Sequence, residues 1–240
     1  MTIISWFDLL WCLIPIVLVC GIYISWQGKP SEILIASARM GVQLIAVGYV
    51  LVSIFENPNP WISLLIVSLM MVVAAWIAIR PVKEHSGILL PAIIALGSSV
   101  ALHLFISIIF VLNAESWFQP QLLIPLAGMY FANTMNAISL SAERYHAELK
   151  NLKSPEEARL TAFHAAMIPQ VNSLLAVGLV ALPGMMTGQI LSGVSPLVAV
   201  RYQIMIMTMV LGTSGMGAAI MLWLVSRAKK SEKITDNSTP

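Results

Sequence analysis

Charge is scarce in this chain. Of its 240 residues only 10% are Asp, Glu, Lys or Arg, while 58% are hydrophobic. Soluble domains carry about 25% charged residues, so a wholly water-surrounded fold is excluded. Cysteine is nearly absent, with only Cys12 and Cys20. Both fall in one predicted helix, roughly 12 Å apart along its axis, which is beyond disulfide reach. They read as small core hydrophobes. Familiar catalytic motifs are missing too: no HExxH pair, no GxSxG elbow and no phosphate loop ending in Gly-Lys-Ser/Thr. The chain is therefore not expected to hydrolyse ATP or to be an enzyme, and no cofactor is implied. The glycine-rich run Gly212-Thr213-Ser214-Gly215-Met216-Gly217 lies in an apolar helix and reads as tight packing. Buried Asp, Glu and Lys pairs of the kind a proton- or sodium-coupled carrier needs are lacking. A cleaved signal is not expected either, since no basic residue precedes the first apolar run and Asp8 interrupts it.

Long apolar runs are what the chain has instead. The mean hydropathy is +0.86. Several runs reach the length of about 20 residues that crosses a hydrocarbon core as helix. The predicted fold is all-α: a polytopic transmembrane bundle of about seven helices. They run from about 3–25, 32–55, 60–79, 88–112, 121–149, 171–191 and 196–227. Pro15 bends the first. Ser31 caps the second, with Glu32 in its first turn. Asn59 caps the third, with Pro60 at the first helical position. Asp8 is either interfacial or a functional carboxylate. Arg39 and Gln43 share a face at i, i+4. Arg39 either snorkels to the interface or bonds another helix or a lipid headgroup. His103 is either bonded to a neighbouring helix or a proton or metal group. The other intramembrane polar groups are mild: Asn133, Asn136, Asn172, Ser173 and Gln203. Met129, Met135, Met185, Met186, Met205, Met207 and Met209 suit either a soft metal or a moving helix interface.

The stretch 122–188 organises the chain. An apolar run, Leu122–Leu140, turns abruptly polar with Glu143, Arg144, Glu148, Lys150, Lys153, Glu156, Glu157 and Arg159. The fifth helix is expected to continue past the membrane, with Arg144 and Glu148 paired at i, i+4. Ser154-Pro155-Glu156-Glu157 reads as a capping box with proline at N1. The helix it opens, Pro155–Met167, is predicted to be short and amphipathic and to end at Pro169. Leu160, Phe163 and Met167 recur on one side, with Ala158, Ala162 and Ala165 between them. Pro183-Gly184 breaks the sixth helix, and Gly184 with Gly188 forms a small-xxx-small pair.

The basic residues set the topology. Of the 13 Lys and Arg, all but Arg201 fall on the side of links 1–2, 3–4 and 5–6 and of the C-terminus. The positive-inside rule places the N-terminus outside and both the charged insert and the C-terminus in the cytoplasm. Net charge here carries no sign of nucleic acid, and none is expected as a partner. A short capped helix between membrane spans suits docking on a soluble protein.

Several segments carry a family resemblance: Ala38-Arg39-Met40-Gly41-Val42-Gln43 and on to Leu51; Ile124-Pro125-Leu126-Ala127-Gly128-Met129 with Asn133 and Met135; Ala166-x-Ile168-Pro169; Val177–Gly188; and Ala199–Met205. Over about 30–225 the chain resembles the FetB-like ABC permease family. The position after Gly41 and the run Tyr130-Phe131-Ala132 depart from that pattern. The resemblance implies the membrane subunit of a bacterial half-type ABC exporter linked to iron. Related plant proteins act in aluminium tolerance. The expected architecture is one permease domain over 1–228, with a coupling segment at 142–169 and a disordered tail at 229–240. Expected partners are a separate ABC ATPase subunit, a second permease copy, membrane lipid and a transported metal ion or small solute. The expected setting is a bacterial cytoplasmic (inner) membrane. Pro155, Glu157, Leu160, Phe163 and Met167 are the candidate ATPase-coupling residues. Arg39, Gln43, Asn133, Asn136, Pro183, Gly184, Gly188 and Gln203 are the candidates for translocation or gating. The alternative is an autonomous channel or an ion-coupled transporter.

Overall fold

Helix signals at the sequence level translate directly into most of the architecture. The structure, a computed structural model, describes residues 5–83 and 87–236, with side chains described as far as Arg227. Glu84 and His85 of the third link and 237–240 of the tail lie outside the described residues. The helices gather into two compact units, Met1–Asn57 and Pro58–Pro240. The rigid turn Glu56-Asn57-Pro58-Asn59-Pro60 separates them.

In the first unit, a 3-10 turn over Asp8–Cys12 leads into α1 (Leu13–Ser25). Pro15 sits in the first turn of α1, where a missing N–H leaves no bond unmade, so no mid-helix bend follows from it. Helix α2 (Pro30–Glu56) packs on α1. Its N-cap residue is Lys29, with Pro30 at the first position and no side-chain cap. This corrects the expected cap at Ser31: proline's fixed φ starts the helix two residues earlier.

The second unit holds α3 (Pro60–Ala78), α4 (Leu89–Phe105), α5 (Pro120–Lys150), α6 (Pro155–Ala176), α7 (Gly184–Leu191) and α8 (Pro196–Asp236). The Asn59 side chain accepts from Trp61 N–H at 2.9 Å, as its position predicts. Helix α4 unwinds into a π-helical stretch, Ile106–Val111. Helix α8 carries helical backbone to Asp236, into the stretch expected to be disordered. Lys, Ala and Glu, which dominate 228–233, are strong helix formers.

Helix α5 is the axis of this unit, packed against α3, α4, α6 and α8. Leu123, Leu126, Tyr130, Thr134, Ala137, Ile138, Ser141 and Tyr145 recur every three or four residues and are buried, as a core-facing stripe requires. The core also holds a polar network. Ser107 and Tyr130 hydroxyls lie 2.7 Å apart, and Ser99 donates to the Thr213 carbonyl at 2.7 Å. His103 Nδ1 donates to the Ser99 carbonyl at 2.8 Å. Its Nε2 lies against Gly212 of α8, where a Cβ would collide with the ring. The expected bond from His103 to another helix is replaced by an intrahelical one plus this close approach. The glycine-rich run does pack tightly: Gly217 touches Thr134 in the same way.

Among the described residues five helical stretches are long and apolar enough to cross a membrane: Asp8–Ser25, Pro30–Glu56, Pro60–Ala78, Leu89–Val111 and Pro196–Arg227. Helix α5 is longer than some of these but is diluted by Asn133, Thr134, Asn136 and Ser139 and is wrapped by protein. The expected sixth span, 171–191, is not one helix. Its first residues belong to α6, its last to α7, and 177–183 are non-helical.

Candidate functional site

The charged end of the second unit is a hairpin of α5 and α6, closed by the turn Asn151–Ser154 and backed by α8. The predicted capping box is present. Ser154 Oγ accepts from Glu157 N–H at 3.3 Å and donates to Glu157 Oε2 at 3.0 Å, and Ser154 N–H donates to the same oxygen at 3.2 Å. Pro155 occupies N1. Such a cap contributes about 1 kcal/mol. The bonds from the Ser154 side chain and backbone hold the Glu157 carboxyl below its ordinary pKa.

The turn is locked from the other side by Glu148. Its carboxylate, only 3% exposed, meets Arg144 at 2.6 Å and Lys153 at 2.7 Å. The pair with Arg144 follows from i, i+4 spacing. The bond to Lys153 does not, because it depends on Leu152 adopting φ 62°, a left-handed conformation that leucine seldom takes. No sequence signal marks it. Leu152 itself is 94% exposed at the tip. The hydrogen bond from Lys153 is the largest cause that lowers the Glu148 pKa, with Arg144 adding charge attraction. A depressed folded-state pKa contributes stability that is complete above the unfolded value of about 4.3 and is lost as pH falls through the folded one. Glu148→Gln is therefore expected to melt below wild type at neutral pH. The gap should close below about pH 4, read by thermal unfolding across pH. A gap unchanged by acid would contradict the clamp.

Helix α6 corrects the sequence reading in one respect. It does not stop at Pro169 but runs through it to Ala176. Proline removes one backbone bond, which neighbouring helices tolerate in a packed bundle. The face it buries within this bundle is made of alanines. Ala158, Ala162 and Ala166, at i, i+4 and i+8, are 0–1% exposed. They pack against Tyr145 and Leu222 at one level and against Ala137 and Ala218 at the next. Alanines win this face because only small side chains let α6 lie close to both α5 and α8. Phe163 is half-buried against the same clusters, and Met167 lies beside Gly215. Leu160 alone of the three points outward, at 62% exposure. Glu156, Arg159, Leu160, Phe163, Ala219, Leu222 and Trp223 border a groove of about 620 Å³ between α6 and α8. The Arg227 guanidinium stacks on Trp223, 4.1 Å from the ring centre. Tyr145 Oη is buried there without a hydrogen-bond partner. Burial raises its pKa, against the pull of Arg159.

The gating candidates lie on several elements. Arg39 and Gln43 are exposed residues of α2, in the first unit. Asn133 and Asn136 lie one turn apart on α5. Asn133 is half-buried and donates to the Met129 carbonyl at 2.8 Å, while Asn136 is exposed. Gln203 is buried on α8, and its Oε1 has no partner. Pro183 is the N-cap of α7, and Gly184 is its first residue. Pro183-Gly184 thus starts a helix after a gap rather than kinking a continuous one. Among the described residues no group of three or more His, Cys, Asp or Glu could hold a metal ion.

Helices of this length and apolarity, with a polar network inside and one charged end, define a multi-pass α-helical membrane protein. The chain belongs to the family described as "Uncharacterised protein family (UPF0014)", which it matches over residues 6–229. This meets the expectation set by the sequence motifs. It is 37% identical over 211 residues to "UPF0014 membrane protein slr1647" of Synechocystis sp., covering 80% of this chain and 81% of that protein. It is 34% identical over 227 residues to "Probable iron export permease protein FetB" of Escherichia coli, covering 87% of this chain and 86% of that one. With "Protein ALUMINUM SENSITIVE 3" of Arabidopsis thaliana the identity is 30% over 220 residues, covering 83% and 78%. No solved structure matches.

Proposed function

We propose that this chain is the membrane-spanning permease subunit of an ABC transporter that exports iron or another metal. The observation that carries the reading is the locked α5–α6 hairpin, which presents Leu152, Glu156 and Leu160 at a charged tip. A separate ATPase subunit would seat on that tip from the cytoplasm, and ATP would be hydrolysed there rather than on this chain. Two permease copies and two ATPases would form the working unit in a bacterial inner membrane. The cargo follows from the relative named a probable iron export permease. Asn133 and Asn136 on the open face of α5, and Gln203 on α8, are the polar groups at membrane depth that such a path would use.

Leu160→Asp tests the docking role. Leu160 is exposed, so the fold should tolerate the change, whereas Phe163→Asp would also disturb the hairpin core. A central apolar anchor is worth about 2 kcal/mol or more. The variant is therefore expected to lose at least about tenfold in ATPase co-purification and in ATP-dependent metal efflux from vesicles, with an unchanged melting temperature. Intact co-purification and efflux would overturn the docking role. Transport by the reconstituted chain alone would overturn the permease reading itself.

A further inference from the structure

We infer that the groove between α6 and α8 seats an anionic phospholipid, with its phosphate at Arg159 and Arg227 and an acyl chain along the apolar floor. The inference goes beyond the permease reading and needs only a chain that spans a membrane. The groove lies at a definite depth. Helices α6 and α8 run antiparallel: Ala158 and Ala162 share a cluster with Leu222, Ala166 shares one with Ala218, and Met167 lies beside Gly215. Arg159 therefore stands beside the turn that holds Leu222 and Trp223, close to the end of the apolar span Pro196–Arg227. Beyond that span the sequence turns basic, with Lys229, Lys230 and Lys233. Arginines and a half-exposed tryptophan at the end of a span mark the headgroup level.

Charge at this level favours an anion. Arg159 borders the groove, and Arg227 joins it by stacking on the wall residue Trp223, 4.1 Å from the ring centre. Glu156 is the one carboxylate among the bordering residues, so the guanidiniums outnumber it. Among the described residues neither arginine forms an ion pair with a carboxylate, and both are exposed. Stacking fixes the plane of the Arg227 guanidinium and leaves its N–H edge free. A guanidinium held in this way suits a phosphate, which it can meet with two parallel bonds. The lysines that follow strengthen the local attraction for anionic lipid.

Deeper in the membrane the walls turn apolar. Phe163 lies one turn along α6 from Arg159, and Ala219 one turn back along α8 from Trp223. With Leu222 they line the groove. Ala219 is exposed, and its small side chain keeps the floor open. Cations at the headgroup level above an apolar trough suit a molecule that is anionic at one end and hydrocarbon at the other. A soluble anion leaves the trough unfilled, and a zwitterionic lipid brings its own ammonium towards the arginines. Leu160 borders the groove as well. Because it is also the proposed ATPase anchor, the test leaves it unchanged, which keeps loss of lipid separable from loss of the ATPase.

Native mass spectrometry of the detergent-purified chain tests this. Offered equal phosphatidylglycerol and phosphatidylcholine, the wild type is expected to retain phosphatidylglycerol in preference. Arg159→Gln combined with Arg227→Gln should weaken that binding at least about tenfold, since charge-assisted bonds are lost. Ala219→Phe fills the trough at an exposed position and should weaken it similarly, with an unchanged melting temperature. Arg201→Gln, exposed near the other end of α8, should bind as wild type does. Equal retention of the two lipids overturns the inference. So does a preference that survives in the double arginine variant, which would assign it to the lysines beyond the span. Normal binding by Ala219→Phe, or displacement of the lipid by millimolar glycerol phosphate, would make the occupant a soluble anion and overturn the lipid assignment. The assay needs no ATPase, so a failed permease reading would leave its result standing.

Discussion

Gly217→Ala is expected to destabilise the chain by about 2 kcal/mol, within the range for overpacking a filled core. A Cβ at Gly217 meets the Thr134 methyl of α5, and Thr134 is fully buried at the α5–α8 crossing. Neither helix can retreat without opening the rest of the seam, where Ala137, Ile138 and Ala218 also pack. The measurement is the melting temperature in detergent, with a drop of roughly 4–8 °C for a domain of this size. Thr134→Ser removes the obstructing methyl and keeps the hydroxyl, which has no partner to lose. The double variant should recover more than half of the loss. Gly21→Ala, where nothing lies within 4 Å, should be neutral or gain from alanine's higher helix propensity. Equal effects at Gly21 and Gly217, or no rescue by Thr134→Ser, would refute the crossing geometry.

Ala162→Phe should have a comparable effect on the fold and a larger one on transport. Ala162 is completely buried between Tyr145 and Leu222. A phenyl ring there must push α6 away from both neighbours, at a cost of about 1–3 kcal/mol. Leu160 remains exposed in this variant. Under the proposed function the ATPase still co-purifies, while ATP-dependent efflux falls at least tenfold, because a detached α6 no longer moves α5. Melting temperature, co-purification and efflux together separate this outcome from Leu160→Asp, which loses binding without loss of stability. Wild-type efflux from Ala162→Phe would place the alanine face outside the coupling path.

Local chemistry was readable in the sequence wherever one segment decides the outcome. Asn59 and Ser154 cap their helices because Pro60 and Pro155 follow them. The long α5 follows from an apolar run passing into i, i+4 charges. Features decided by a neighbour were not readable. Pro169 looks like a stop signal until α5 and α8 are seen to flank α6. That α6 packs its alanines against α5 and α8 depends on how closely the helices approach, which one segment does not reveal. The Lys153–Glu148 contact needs a left-handed leucine that no motif announces. For the candidate site, the sequence located the hairpin and its cap correctly and gave no sign of which face packs inside the bundle. The break at 177–183 was half visible, since Pro183-Gly184 marks one edge and nothing marks the other.

The doubly tied turn has a mechanical consequence. Glu148 grips α5 through Arg144 and the turn through Lys153, while the Ser154–Glu157 reciprocal bonds grip the start of α6. An elbow fastened on both sides has no slack. Under the proposed function, a push on α6 passes to α5 through these bonds, and compliance is expected at the far end of α6. There the chain leaves its helix, and seven residues with few internal bonds can absorb the stroke.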